Sequence, residues 1–270
     1  MERIAAVTLW AASVWPMWRW WARRLSEPFD ADIAAWIVFA AFASMLWRRT
    51  RTARSESSPH LVAALPTWKW LWAAGFLALF HLSRTSLPPT ASGVFAVLAG
   101  LPLLLPEDTG QGPIPPPLAA LALMGLPSAM ILDFLLGYPM RVIATRLAAL
   151  LLSSAGLPVA QSGVELSVEG VSVFVDAPCA GVRMLGAGLI LAFALAQTFR
   201  FRLLGTAILA AVGLVSVILA NVARVSVLSL SAVGGVTLSR TAHEIVGCLA
   251  LLPGAVLCAL AAFAMARRRR

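Results

Sequence analysis

The chain has 270 residues, of which 60% are hydrophobic and only 12% are charged, and its formal net charge is +9. A soluble domain usually carries about 25% charged residues, so this composition excludes an ordinary soluble enzyme and predicts a protein that faces lipid. The positive charge does not indicate a nucleic-acid partner, because the arginines stand in short runs between apolar segments, as in the cytoplasmic loops of membrane proteins.

Apolar segments of about 17–25 residues are long enough to cross a bilayer as helices. By this criterion the sequence predicts an all-α polytopic membrane protein with about eight transmembrane helices. The predicted spans are residues 4–21, 31–47, 69–83, 90–105, 118–137, 181–199, 204–223 and 243–266. The basic residues of the loop 48–69, of the loop 200–203 and of the C-terminal tail place these segments, and both termini, in the cytoplasm.

Residues 138–180 form a long connection that this topology places outside. Its beginning is amphipathic and predicts a small helix lying on the membrane surface, because apolar residues repeat there at helical spacing. These residues are Ile143, Leu147, Leu150 and Leu151. Two alternating runs follow, Val164 to Val168 and Val171 to Val175, and the intervening Glu169-Gly170 predicts a β-hairpin. The hairpin could offer an edge to an extended peptide.

The second predicted strand leads into the sequence Asp176-Ala-Pro-Cys-Ala-Gly-Val-Arg183. Pro178 suits the first turn of a helix, so we expect Cys179 at a helix N-terminus, where unpaired N–H groups and the helix dipole favour a thiolate. Arg183 follows four residues later on the same predicted helix face. A cation there would lower the pKa of the thiol further. The sequence therefore predicts a reactive Cys179.

Three residues that are far apart in the sequence are predicted to lie at one depth of the bilayer. A span that starts at 204 reaches Asn221 and Arg224 after about 20 residues, and the last span begins near His243. Cys179, Arg224 and His243 therefore come out at the same outer boundary. They supply a nucleophile, a cation for a developing oxyanion and a base.

The two other cysteines and a possible metal site are less well supported as functional features. Cys248 and Cys258 lie inside an apolar span, and we interpret both as packed small hydrophobes. No cofactor or metal is predicted, because Cys179 and His243 are only two ligands without a convincing third. His243-Glu244 also lacks the second histidine of the HExxH zinc motif.

Three segments resemble the signatures of a known family. Ala177-Pro-Cys-Ala-Gly-Val-Arg183 resembles the Cys-Ser-Gly-x-Arg signature of the exosortase/archaeosortase family. Asn221-Val-Ala-Arg224 resembles its second signature, and His243 before Gly247 resembles its third. The resemblance covers roughly residues 115–265. It divides the chain into residues 1–110, with N-terminal spans, and residues 111–270, an exosortase-like catalytic membrane domain.

The resemblance implies a membrane-embedded cysteine endopeptidase or transpeptidase that cleaves C-terminal sorting signals of secreted proteins. Carried over to this chain, Cys179 would form a thioester with the substrate, and His243 would be the general acid/base. Arg224 would stabilise the oxyanion or orient the substrate, and Arg183 and Asn221 would support the site. Ala180 stands where the family usually has Ser, which suggests a divergent subfamily and leaves the recognised motif open.

The resemblance also implies partners and a place in the cell. The family's typical signal is a short Pro-Glu-Pro-like motif (PEP-CTERM), an apolar helix and a basic tail. The implied partners are this signal helix, membrane lipid and an acceptor nucleophile. The implied location is the bacterial cytoplasmic (inner) membrane, crossed several times, with the active site on the extracytoplasmic side.

Two other functions compete with this interpretation. A polytopic transporter would line an anion path with Arg183 and Arg224, and Cys179 would be dispensable in it. Transporter sites usually lie near the bilayer midplane, whereas these charges are predicted at one face. A non-catalytic factor for envelope-polymer assembly would tolerate replacement of Cys179, Arg224 and His243 alike.

Overall fold

The structure is a computed structural model of the chain. The residues that it describes are 2–26, 65–105, 114–126, 129–236 and 238–269. It divides into two compact units. The N-terminal unit comprises Met1–Ser128 with Arg200–Leu203, and the C-terminal unit comprises Ala129–Phe199 with Leu204–Arg270. The predicted span 31–47 lies outside the described residues.

The N-terminal unit is helical where the structure describes it. Its helices are α1 (Glu2–Ser13), α2 (Trp15–Ser26), α3 (Thr67–Ser83), α4 (Pro89–Leu104) and α5 (Pro116–Met124). Small residues of α4, Ala96 and Ala99, are fully buried in its core, and Trp10 of α1 packs there as well. The Trp10 indole Nε1 donates a hydrogen bond to the Ala96 carbonyl oxygen at 2.9 Å.

The predicted first span, residues 4–21, is two helices in the structure. The break falls at Val14, between α1 and α2. Pro16 accounts for it, because proline has no N–H to continue the helical hydrogen bonds and its ring clashes with the preceding turn. The prediction of one continuous helix is therefore wrong at this point.

Two cationic side chains of the N-terminal unit stabilise the C-terminal end of α4. The Lys69 side chain is only 1% exposed, and its Nζ donates to the Leu105 carbonyl at 3.1 Å. Arg3 donates from Nε to the Leu103 carbonyl at 3.0 Å and from Nη2 to the Leu104 carbonyl at 2.7 Å. Cations are favourable there because the last carbonyls of a helix lack intrahelical donors and carry the negative end of its dipole.

The C-terminal unit combines four helices with a small sheet in its described part. Its elements are α6 (Ala129–Ser154), β1 (Val159–Ser162), β2 (Glu165–Val168), β3 (Val171–Phe174), α7 (Val182–Thr198), α8 (Leu203–Val233) and α9 (Arg240–Arg267). Three described segments are long and apolar enough to cross a membrane: Ile131–Ser154, Leu203–Val233 and Thr241–Arg267. The helices α4 and α7 are apolar but shorter. The predicted count of eight spans is not confirmed.

The predicted fifth span, 118–137, and the predicted surface helix that follows it are both corrected. The short α5 ends at Met124, and α6 then runs through Pro139 to Ser154 as one helix. The predicted apolar stripe faces outward on α6, where Ile143 is 46% and Leu150 is 66% exposed. An exposed apolar stripe on a helix of this length is expected to contact lipid.

The predicted β-hairpin is confirmed, and a third strand joins it. Val168 pairs with Val171 across the two-residue turn, in which Glu169 and Gly170 both have positive φ, at 50° and 82°. These angles define the turn type whose twist matches a hairpin, which explains the glycine. The unpredicted strand β1 pairs antiparallel with β2, so the strand order is β1-β2-β3.

One face of the sheet packs against the helices of the C-terminal unit. Leu166 and Val168 of β2 are 0% exposed and share a hydrophobic cluster with Ala148 of α6 and Val225 of α8. The helix α8 has 31 residues and is therefore about 46 Å long, compared with a hydrocarbon core of about 30 Å. The predicted span ends at residue 223, which is too early. The helix α8 continues to Val233, and its turns after residue 223 pack against the sheet.

Candidate active site

Cys179 lies in a short turn between the sheet and α7. Residues Ala177–Cys179 form one 3₁₀ turn, in which the Ala180 N–H donates to the Ala177 carbonyl at 3.0 Å. Gly181 follows with φ at +81°, and α7 begins only at Val182. The prediction that Cys179 begins a continuous helix is therefore wrong, because the left-handed Gly181 interrupts it. The predicted shared helix face of Cys179 and Arg183 does not exist, and Arg183 is exposed.

Asn221 of α8 fixes this turn in place. Its side chain is 2% exposed, and its Nδ2 donates a hydrogen bond to the Cys179 carbonyl at 3.1 Å. A Cβ atom added to Gly181 would lie 2.8 Å from Asn221 Cγ, so this close approach requires glycine. The other amide atom, Asn221 Oδ1, is buried and has no hydrogen-bond partner among the residues that the structure describes. A buried acceptor of this kind is costly unless a ligand or water satisfies it.

The thiol of Cys179 is partly buried against the cluster formed by the sheet, α6 and α8. This burial raises the pKa of the Cys179 thiol above its ordinary value, since a thiolate is poorly solvated there. The charge of Arg224 acts in the opposite direction and lowers this pKa, while Asp176 adds a smaller increase. The prediction of a lowered thiol pKa is therefore wrong in its net direction, and the nearby cation is Arg224.

Arg224 also contacts the helix that carries His243. Its side chain is 7% exposed, and a Cβ added to Gly247 of α9 would lie 3.2 Å from Arg224 Nε. Gly247 lies four residues after His243, so both are on the same face of α9. Arg224 is thus close both to the Cys179 turn and to the face of α9 that carries His243. The three structural elements that carry the predicted catalytic residues therefore lie next to one another.

His243 is oriented by the first turn of α9. Its Nδ1 donates to the Ser239 carbonyl at 3.0 Å, and the same carbonyl accepts the His243 backbone N–H at 3.1 Å. A carbonyl oxygen can only accept, so Nδ1 carries a proton, and in the neutral form of the ring Nε2 is the acceptor. Ser239 also caps the helix, since its Oγ accepts from the Ala242 N–H at 3.2 Å.

Ser239 is a positioning residue that our sequence reasoning missed. The available signal was a serine directly before an apolar helical run, which is a common N-cap. Among the described residues there is no hydrogen bond between Cys179 and His243, and the hydrogen bonds of His243 outside the regular helix pattern go to Ser239. Catalytic hydrogen bonds are often long without substrate and tighten when the reactive complex forms.

The other two cysteines differ from each other. Cys258 is 2% exposed, so its interpretation as a packed small hydrophobe is confirmed. Cys248 is exposed on α9, and the same interpretation is wrong for it. Within the described residues, no group of three or more His, Cys, Asp or Glu side chains is arranged to hold a metal ion.

Comparison with known proteins gives a family for the chain. Residues 6–261, nearly the whole chain, match the family model described as transmembrane exosortase (Exosortase_EpsH). The match extends well beyond residues 115–265, to which our sequence analysis limited the resemblance. None of the curated proteins or solved structures that were compared matches the chain.

Proposed function

The chain belongs to the transmembrane exosortase family, and on this premise we propose that it cleaves the C-terminal sorting signals off secreted proteins and transfers the remaining proteins to an envelope acceptor. The family is generally one of cysteine-type transpeptidases that act on such signals. In our proposal Cys179 is the nucleophile, His243 the general acid/base and Arg224 the oxyanion donor. The enzyme lies in the bacterial cytoplasmic membrane with this site on the extracytoplasmic side.

The observation that carries the proposal is the position of Arg224. Its charge acts on the Cys179 thiol, and its side chain packs on α9 one turn from His243. A cation beside a nucleophile is placed to stabilise negative charge, first on the thiolate and then on the oxygen of a tetrahedral intermediate. A transporter would use its arginines without needing the Cys179 thiol.

In the first half of the proposed reaction, His243 Nε2 takes the proton of the Cys179 thiol. The sulfur attacks the carbonyl carbon of the scissile peptide bond, and Arg224 stabilises the resulting oxyanion. The C–N bond then breaks, and the proton on His243 passes to the leaving amine of the signal helix. The products of this half are a free helix fragment and a thioester on Cys179.

In the second half, an acceptor amine or hydroxyl replaces the helix fragment. His243 takes the proton of the acceptor as it attacks the thioester carbonyl. The C–S bond breaks, and Cys179 leaves as a thiolate that is reprotonated from His243. The raised thiol pKa fits this cycle, because the resting thiol must be activated by a base rather than stay ionised.

The test uses a secreted reporter whose C-terminal signal comes from a protein encoded in the same genome. Its signal ends in an apolar helix and an arginine tail. We expect Cys179→Ala to abolish maturation of this reporter while the enzyme remains in the membrane at normal levels. Hydroxylamine added to the wild type should release the mature reporter as a hydroxamate, which identifies the thioester.

Cys248→Ala is the matched control, because Cys248 is also a free cysteine of the C-terminal unit and lies on the helix that carries His243. It should process the reporter at the wild-type rate. Normal maturation in the Cys179→Ala variant would contradict the proposal and favour the transporter or the assembly factor.

A further inference from the structure

The outer edge of β3 is an open strand edge next to the candidate nucleophile. β3 pairs with β2 on one side only, and it is the last strand of the described sheet. Its sequence, Val-Ser-Val-Phe, contains neither a charge nor a proline, which are the usual protections of an exposed strand edge. Phe174 at its end is 60% exposed.

The register shows which backbone groups of β3 are directed away from the sheet. In an antiparallel pair, hydrogen-bonded and non-hydrogen-bonded residue pairs alternate. Val171 closes the two-residue turn with Val168, and the Val175 N–H donates to the Val164 carbonyl at 3.0 Å. The backbone groups of Ser172 and Phe174 therefore face the open edge.

These backbone groups need a polar partner. Lipid cannot satisfy an N–H or a carbonyl, whereas water or another extended polypeptide can. The edge is also continuous with the active site, because Cys179 follows Phe174 by five residues, a path of at most about 18 Å. A polypeptide paired with β3 would thus lie close to the thiol.

We propose that the edge of β3 binds the substrate as an added strand, through the extended segment that precedes the scissile bond. This inference rests on the proposed function and adds to it how the enzyme binds its substrate. The segment before the scissile bond is the part that remains on Cys179 after the signal helix leaves. Pairing with β3 therefore keeps the acyl group in register until the acceptor attacks.

The first experiment removes one backbone donor from the edge. Ser172→Pro lacks the outward N–H, whereas Ser172→Ala keeps it and loses only the hydroxyl. We expect Ser172→Pro to process the reporter about threefold to tenfold more slowly than Ser172→Ala, which corresponds to one hydrogen bond. Alkylation of Cys179 by iodoacetamide should be equal in the two variants. Equal processing by both variants would overturn the inference.

The second experiment leaves the backbone of the strand intact. It places one cysteine at the edge, Ser172→Cys, in an enzyme in which Cys179, Cys248 and Cys258 are all alanine. The reporter carries single cysteines at successive positions before its scissile bond. Because side chains alternate along a strand, we expect disulfides to form at every second reporter position.

The control cysteine is on the opposite edge of the same sheet, Ser162→Cys of β1, where the side chain is also exposed. It should form few disulfides with the reporter. Cross-links without alternation, or as many from β1 as from β3, would overturn the inference. Maturation that survives Cys179→Ala would instead contradict the proposed function, so the two failures are distinguishable.

Discussion

The N-terminal and C-terminal units each bury a cationic side chain, and the surroundings of the two cations differ. Lys69 of the N-terminal unit donates to the Leu105 carbonyl at the end of α4. Arg224 of the C-terminal unit acts on the Cys179 thiol and packs against Gly247. One cation thus completes a helix end, and the other lies beside a potential nucleophile.

In our proposal the first charge serves stability and the second serves chemistry. A cation bonded to backbone carbonyls neutralises groups that the fold itself leaves without donors. A cation that acts on a thiol can instead stabilise negative charge on the sulfur, which is the chemistry that the proposed function requires. Ionisable residues retained within membrane proteins are usually functional, and here Arg224 fits that rule better than Lys69.

Among the changes that test this comparison, Arg224→Ala is expected to have the largest effect. Loss of an oxyanion donor lowers turnover by about a hundredfold to a thousandfold, so reporter maturation should fall by that factor. Removal of the positive charge also raises the pKa of Cys179, because Arg224 favours the thiolate. Iodoacetamide should then alkylate Cys179 more slowly at any pH below this pKa.

Arg224→Lys is the matched variant, since it keeps the charge but loses the planar guanidinium. The pH dependence of Cys179 alkylation should change less in Arg224→Lys than in Arg224→Ala. Full processing activity in Arg224→Ala would remove the proposed distinction between the two buried cations.

The next largest effect is expected at Gly181, which follows the Cys179 turn and lies against Asn221. Gly181→Ala places a side chain at φ +81° and 2.8 Å from Asn221 Cγ. The hydrogen bond from Asn221 to the Cys179 carbonyl should be lost, and a displacement of about 1 Å at a catalytic group costs up to about a hundredfold in rate. We therefore expect the rate of reporter maturation to fall by about tenfold to a hundredfold.

Gly186→Ala provides the comparison for this variant. Gly186 lies within α7, where an added Cβ meets no atom within 4 Å. Alanine there should leave maturation unchanged and slightly stabilise the helix. If both glycine variants behave alike, the close approach of Asn221 to Gly181 is not what positions Cys179.

The features that the sequence predicts well are those fixed by neighbouring residues. The hairpin follows from local alternation and from Glu169-Gly170, because a two-residue turn with positive φ needs a residue such as glycine. The end of α5 also has a local sequence signal, although the predicted span 118–137 runs across it. Gly125 follows the last helical residue and Pro127 comes next but one, which is a usual helix stop signal.

The features that the sequence predicts poorly depend on packing between distant segments. Arg183 is near Cys179 in sequence, yet the cation that acts on the thiol is Arg224, because α8 packs beside the Cys179 turn. The net direction of the thiol pKa also depends on burial by the sheet. No local pattern reports that burial, so only the structure gives it.

A smaller effect, on stability rather than on processing, is expected from Lys69→Met. This change leaves the Leu105 carbonyl without its lysine donor, which costs about 1–3 kcal/mol for a buried acceptor. The detergent-solubilised protein should therefore unfold at a lower temperature, while processing per folded molecule stays at the wild-type level. Arg84→Met, at an exposed cation just after α3, is the control and should leave both quantities unchanged.

The smallest expected effect, and the one that best tests the electrostatics of the site, is that of Asp176→Asn. The Asp176 carboxylate raises the pKa of Cys179 because it disfavours a nearby thiolate, so its neutralisation should lower that pKa. Alkylation of Cys179, measured in a Cys248→Ala background at pH 8, should be faster than in the parent. Glu169→Gln, at the tip of the hairpin, is the matched control. Because Arg224→Ala must shift the alkylation profile in the opposite direction, a shift of the same sign in both variants would mean that altered burial, and not charge, governs the thiol.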